Sequence, residues 1–186
     1  MNHADHVRLI ASGIPEPGGQ WADMGSGDGA FTLALRDVAG SEVEIVAVDT
    51  NQGALRLLAN KMDSIFPGAN VQALPEDMTG QLDLQGLDGI IAANSLHYVD
   101  RRRQSLVLRG SRRMLRRDGR LIIVEYDADD GNRWAPFPIS LKAINHLAAV
   151  AGFQPPVQLG THPSHFLNGI YAAMLIPSPG PVDLHG

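Results

Sequence analysis

A buried strand that stops at an acid and turns through alternating glycines into a helix constrains this chain more than any other stretch: Trp21-Ala22-Asp23-Met24-Gly25-Ser26-Gly27-Asp28-Gly29-Ala30. Glycine at Gly25 and Gly27 permits positive φ and brings a ligand to the main chain with no Cβ between them, and Gly29 opens a helix that runs to Val38. A second apolar strand, Val43 to Val48, ends at Asp49, twenty residues past Gly29. An acid at that place reaches the two hydroxyls of a ribose, so the pattern asks for an adenosine-bearing cofactor.

Gly25-Ser26-Gly27-Asp28-Gly29-Ala30 also satisfies the dinucleotide form G-x-G-x-x-A. Two neighbours weigh against a pyrophosphate: Asp23 at the carboxyl end of the first strand, and Asp28 at the helix entrance, where a helix N-terminus otherwise holds phosphate. Carboxylates there suit a cation. S-adenosylmethionine carries an ammonium and a sulfonium and no phosphate, and is the preferred ligand on this reading.

From about Trp21 to about Ile176 the chain resembles the class I S-adenosylmethionine-dependent methyltransferases, in particular the small single-domain enzymes grouped with the ubiquinone and menaquinone methyltransferases. Asp23 to Gly29 is similar to their acid-x-G-x-G-x-G motif, and Asp49, with Thr50 beside it, to the acid that holds the ribose. Leu74-Pro75-Glu76-Asp77-Met78 resembles the acidic pair whose Asp binds the adenine amino group. Leu87 to Tyr98 resembles the fourth strand and the turn facing the methyl group, and Met114 to Glu125 the leader, L-x-P-G-G-x-L, strand signature. In that signature Arg117 replaces Pro and Asp118 the first Gly, and Asp-Gly still turns. The resemblance implies a Rossmann-like α/β three-layer sandwich with a mostly parallel seven-stranded sheet in the order 3-2-1-4-5-7-6 and an antiparallel last strand.

The chain has 186 residues, enough for one filled domain and too few for a nucleotide domain plus a substrate domain. Fifteen Lys and Arg against 20 Asp and Glu leave a net charge of −5, without the basic excess that sequence-independent nucleic-acid binding demands. A small-molecule acceptor is expected. With no cysteine, disulfides, thiolate metal sites and cysteine nucleophiles are all excluded. No signal-like N-terminus and no apolar run of membrane-span length (~20 residues) is present, which predicts a cytoplasmic protein. Oligomeric state stays open.

Strands are predicted near 21–24, 43–48, 70–74, 88–93 and 119–125, and helices near 29–38, 51–62, 100–116 and 139–151. Their alternation implies right-handed crossovers and a sheet covered on both faces. Two further strands, Phe153 to Leu159 and Leu167 to Ile176, read as a hairpin. Residues 1–20 hold a short amphipathic helix from Ala4 to Ser12 and a breaking linker, a possible lid. Residues 21–176 form the methyltransferase domain, and the proline-rich 177–186 a mobile tail.

The expected cofactor contacts are Asp23, Gly25, Ser26, Gly27, Asp28, Gly29, Asp49, Thr50, Glu76, Asp77, Met78, Asn94 and Leu96. Each has a plainer reading: Asp49 as a helix N-cap, Asp77 as a turn cap, Met78 as core. His97 is placed to take a proton from an incoming hydroxyl or amine, with Tyr98 or Tyr126 to orient it, or it is a packing residue. Glu125 to Asp127 either face the same crevice or are solvated. The arginines from Arg101 to Arg117 read as the solvated face of a covering helix. His3 with His6, and His162 with His165, are weak metal candidates, and no metal is expected. Trp134 is a substrate wall or a loop anchor. Methyl transfer to a small molecule, chemistry of the EC 2.1.1 kind, is the leading function. An NAD(P)-dependent oxidoreductase and a non-catalytic S-adenosylmethionine-binding module are the alternatives.

Overall fold

A computed structural model of the chain describes residues 1–164 and 166–179. Seven strands, β1 (Gly19–Met24), β2 (Val43–Val48), β3 (Asn70–Leu74), β4 (Leu87–Ala93), β5 (Leu115–Tyr126), β6 (Val157–His162) and β7 (Ile170–Leu175), form one sheet in the order β3-β2-β1-β4-β5-β7-β6. The first five are parallel, and β7 runs antiparallel to both β5 and β6. The predicted α/β class and strand order are those observed.

β1, β4, β7 and the end of β5 are near-continuous buried runs because both faces are covered there, whereas the edge strands β3 and β6 stay partly exposed. Helices α1 (His3–Ile10), α2 (Ala30–Ala39) and α3 (Gln52–Ile65) lie on one face, over Trp21, Ile45, Ala47, Ile91, Ile122 and Val124. Helices α4 (Arg101–Met114) and α5 (Leu141–Ala151) lie on the other, over Ala22, Met24, Ile90, Leu121 and Ile123. Four helix starts have a side-chain cause: Asn2, Asn51, Asp100 and Ser140 accept backbone N–H bonds as N-caps of α1, α3, α4 and α5. Asn51 therefore does the capping that the plainer reading of Asp49 assigned to the acid.

Two regions differ from expectation for physical reasons. The helix predicted to 116 ends at Met114, because Leu115 already pairs with Leu87. The next registered pair is Gly89 with Arg120, so Arg116 to Gly119 form a bulge that takes up the Asp-Gly turn. The hairpin is shifted along the chain: Pro155 and Pro156 have no N–H to donate, so β6 starts at Val157, and the connecting turn spans 163–169 instead of 160–166. Gly89 sits under Trp21, whose ring atoms would lie 2.2 Å from a Cβ there. That bare patch of β4 lets β1 bury its tryptophan.

Helix α1 packs against α2, β6 and β7, burying Leu9 and Ile10. Of the proline-rich tail, Ser178 is held by its N–H to Gly152 O (2.9 Å) and by Arg112 Nη2 to its carbonyl (3.1 Å). His165 and residues 180–186 lie outside the described residues. No described helix is long and apolar enough to cross a membrane.

Candidate functional site

A cavity of about 600 Å³ opens where the carboxyl ends of β1 to β4 meet the start of α4, the crevice at which open parallel sheets place ligands. It is lined by Gly25 and Gly27 after β1, Val48 at the end of β2 with Asp49 and Thr50 after it, and Glu76 to Thr79 after β3. Asn94, Ser95, Tyr98, Val99 and Asp100 follow β4, and Arg103 comes from the first turn of α4.

The glycine turn is shaped by its own hydrogen bonds. Gly25 and Ser26 donate their N–H groups to Val48 O (2.8 and 3.0 Å), and Gly29 donates to Ser26 O (3.0 Å). Gly27 N–H donates to Asp49 Oδ2 (2.8 Å), while Asp49 Oδ1 accepts from Asn51 N–H (2.8 Å). Asp49 thereby fastens the turn to the end of β2. Gly25 and Gly27 have φ of 74° and 54°. A Cβ on Gly25 would strike Ser95 Cβ at 2.5 Å, whereas one on Gly27 meets no atom within 4 Å. Both glycines border the cavity, so Gly27 leaves its floor open.

The N–H groups of Gly25, Ser26, Gly27 and Gly29 are spent inside the protein, and what stays unmet is a set of buried side-chain oxygens. Asp23 Oδ1, Ser26 Oγ, Asn94 Oδ1 and Ser95 Oγ are all buried without a hydrogen-bond partner. Buried polar atoms are nearly always paired in a complete structure. Asn94 also holds a φ of 51°, the left-handed region, among the described residues the sole non-glycine to do so. Such strain concentrates where a ligand is gripped. A cradle of unmet oxygens suits a ligand that donates, such as an ammonium, and offers little to a diphosphate.

Asp23 lies behind the turn, off the cavity surface. Its Oδ2 accepts from Thr32 Oγ1 (2.6 Å), and burial, with a smaller push from Asp49, raises its pKa to about 7. Asp77 is held below the usual carboxylate range by the Thr79 N–H it accepts (2.7 Å), with Thr79's hydroxyl and Arg103 adding to the effect. It caps that turn and borders the cavity at once. Arg103 Nη2 in turn donates to Thr79 Oγ1 (3.0 Å).

Gly25, Gly27, Asp49, Thr50, Glu76, Asp77, Met78, Asn94 and Tyr98 are thus brought together around one space. Other expected contacts stand back from it. Asp28 turns away to Lys61 (2.6 Å), which compensates its charge, so it does not present an acid to the cavity. Gly29 is the left-handed N-cap of α2 and packs on Leu58, and Leu96 is a core residue. Ser26 is buried beneath the turn. His97 is buried with its Nδ1–H donating to Glu125 Oε2 (2.8 Å), and Tyr126 is half-buried beside it.

The acids that do line the cavity are Asp49, Glu76, Asp77 and Asp100. Asp100 and Arg103 escaped the sequence reading because the arginine-rich stretch was taken as a solvated face. An acid N-cap one turn before a basic residue, directly after the β4 turn, was the available signal. Other arginines of that stretch also bind: Arg101 donates to Asp129 O, Arg109 to Val150 O, and Arg116 pairs with Asp88. Among the histidines, His3 meets Asp37 and His162 meets Asp5, and no group of three potential metal ligands occurs among the described residues.

A family model described as a methyltransferase domain matches residues 22–119, from β1 through the glycine turn to the bulge of β5. The chain belongs to the methyltransferase domain family. No curated protein matches it. The methyltransferase fold is shared with the YcgJ protein of Bacillus subtilis, with a TM-score of 0.77 at 15% identity over 96% of this chain and 100% of that one. It is shared too with Burkholderia thailandensis 1,6-didemethyltoxoflavin-N1-methyltransferase, solved with 1,6-didemethyltoxoflavin and S-adenosylhomocysteine (0.74, 15%, 96% and 79%). The magnesium protoporphyrin IX methyltransferase of Synechocystis PCC 6803, with bound S-adenosylmethionine, gives 0.71 at 16% identity over 94% of this chain and 77% of that one.

Proposed function

We propose that this methyltransferase-family chain moves the methyl group of S-adenosylmethionine to a small-molecule acceptor. The observation that carries this is the polarity of the cradle: the N–H groups of Gly25, Ser26, Gly27 and Gly29 are internally bonded, and Asp23, Ser26, Asn94 and Ser95 hold unmet oxygens. On this reading Gly25, Gly27, Asn94 and Ser95 receive the methionyl end, with Asp23 and Ser26 behind them and Gly29 and Leu96 supporting from the helix and the core. Asp49 and Thr50 hold the ribose, and Glu76, Asp77 and Met78 surround the adenine.

When bound, the sulfonium supplies an activated methyl and a good leaving group. The protein's work is then alignment and exclusion of water. His97 takes the acceptor's proton, and Tyr98 and Tyr126 orient the acceptor. A small acceptor fits the net charge of −5, which provides no basic surface for nucleic acid. It fits also the small-molecule substrates named for structures of the same fold.

Incubation with methyl-labelled S-adenosylmethionine and a panel of hydroxyl, amine and thiol acceptors tests the reading. Labelled acceptor together with S-adenosylhomocysteine supports it. Absence of label, with neither nucleoside bound, overturns it.

A further inference from the structure

The carboxyl ends of β4 and β5 hold a second polar device, beside the cavity and not part of its wall. Glu125 is fully buried, with no lysine or arginine against it. Its carboxylate accepts three N–H bonds: His97 backbone N–H to Oε1 (3.1 Å), Tyr126 N–H to Oε2 (3.2 Å) and His97 Nδ1–H to Oε2 (2.8 Å). A carboxylate can only accept, so it fixes the hydrogen of the neutral imidazole on Nδ1 and leaves the Nε2 lone pair free. Nε2 makes no hydrogen bond to any described residue. Two phenol rings pack on the imidazole at tilted angles, Tyr98 at 4.3 Å and Tyr126 at 5.6 Å between centroids. Tyr98 is 65% exposed, so the ring shielding the imidazole stands in solvent and also borders the cofactor cavity.

The surrounding loops extend this aromatic character. Phe137 N–H donates to His97 O (2.9 Å), fastening the 127–140 loop to the same place. In that loop Asn132 accepts from Trp134 N–H (2.8 Å) and donates to Phe166 O (3.3 Å), which joins it to the β6–β7 turn. Trp134 and Phe166 are both exposed.

We infer that Glu125 is a positioning residue which holds His97 as the proton acceptor for an aromatic hydroxyl, so that the chain methylates a phenolic oxygen. The inference rests on the methyltransferase reading above and names its substrate class. Imidazole accepts a proton from an acid of phenolic strength, with a pKa of about 10, far more readily than from an aliphatic alcohol or a carbon acid. The exposed Tyr98 ring, beside the imidazole and bordering the cofactor cavity, offers a face to a flat partner. In the step, the aryl O–H proton passes to Nε2 and the aryl oxygen forms the bond to the methyl carbon. The methyl–sulfur bond breaks with its electron pair going to sulfur, and the imidazolium then returns its proton to solvent.

The test uses the whole chain saturated with S-adenosylhomocysteine and titrated with 4-nitrophenol at a pH below the probe's own pKa. The expected result is the 4-nitrophenolate band appearing on binding, with quenching of the exposed Trp134 while the buried Trp21 stays constant. Glu125→Gln then binds the probe with the phenolate band lost, and Glu125→Asp recovers part of it, which a purely structural contact would not produce. Tyr98→Ala, at an exposed side chain, weakens probe binding several-fold and serves should Glu125→Gln fail to fold. A probe bound only in its neutral form, no probe binding, or a phenolate band surviving in Glu125→Gln overturns the inference while calorimetric binding of S-adenosylhomocysteine persists. Loss of that nucleoside binding overturns the methyltransferase reading itself.

Discussion

Asp23 connects protonation to both folding and binding. Its folded pKa of about 7 lies above the ordinary carboxylate value of 3.8. Between those limits the folded chain keeps a proton that the unfolded chain gives up, so stability of the ligand-free protein falls as pH rises from about 4 to about 7 and then levels. Asp23→Asn removes that decline, and melting curves of the two proteins across the window check it; parallel pH dependences would contradict the burial argument. A bound ammonium favours the ionised carboxylate, so affinity for S-adenosylhomocysteine rises with pH through about 7, and calorimetry on Asp23→Asn shows the dependence flattened. At Gly27 a methyl group meets only open cavity. Gly27→Ala costs about 1–2 kcal/mol in the left-handed conformation yet leaves the chain folded, while nucleoside affinity falls about tenfold, a difference of about 1.4 kcal/mol. Unchanged affinity in a folded Gly27→Ala would place the ligand elsewhere.

At the scale of elements, periodicity and turn chemistry located the strands and helices, since a doubly covered strand is an apolar run, four helices begin at a side chain that caps them and α2 begins at the left-handed Gly29. Gly25 to Gly29 and Asp49 were legible for the same local reason: the turn needs positive φ, and the acid ends its strand. Long-range partners were not legible. No local pattern announces that Lys61 turns Asp28 outward, that Glu125 is buried under His97, or that Arg103 reaches Thr79, because each contact joins segments more than twenty residues apart. The contact between Trp21 of β1 and Gly89 of β4 is of this kind and yields a test. Gly89→Ala places a methyl 2.2 Å from the indole, and overpacking of a closed core costs about 1–3 kcal/mol. Urea unfolding of that variant measures the loss, and a midpoint equal to wild type would show that β1 and β4 do not pack as described.

Over the whole molecule, one layered sheet divides the labour. Its two apolar faces bury the cores that fix the strands, and the carboxyl ends of β1 to β4, where the chain reverses its order of strand addition, hold the cavity. The proposed acceptor side lies next to it, at the ends of β4 and β5 and the loops that follow them. Such loops vary independently of the fold, which is why the acceptor class had to be read from Glu125, His97 and the rings around them. Helix α1, seated on α2 and the β6–β7 hairpin with Leu9 and Ile10 buried, contributes no residue to the cavity wall. The central claim concerns the cofactor: unmet side-chain oxygens, two of them the carboxylate oxygen of Asp23 and the amide oxygen of Asn94, select a cationic adenosyl ligand over a diphosphate in the glycine cradle. Calorimetric titration of the purified chain with S-adenosylhomocysteine and, separately, with NAD measures it most directly. The account predicts one-to-one binding of the nucleoside and none of the dinucleotide; tight binding of NAD with no response to S-adenosylhomocysteine would contradict it.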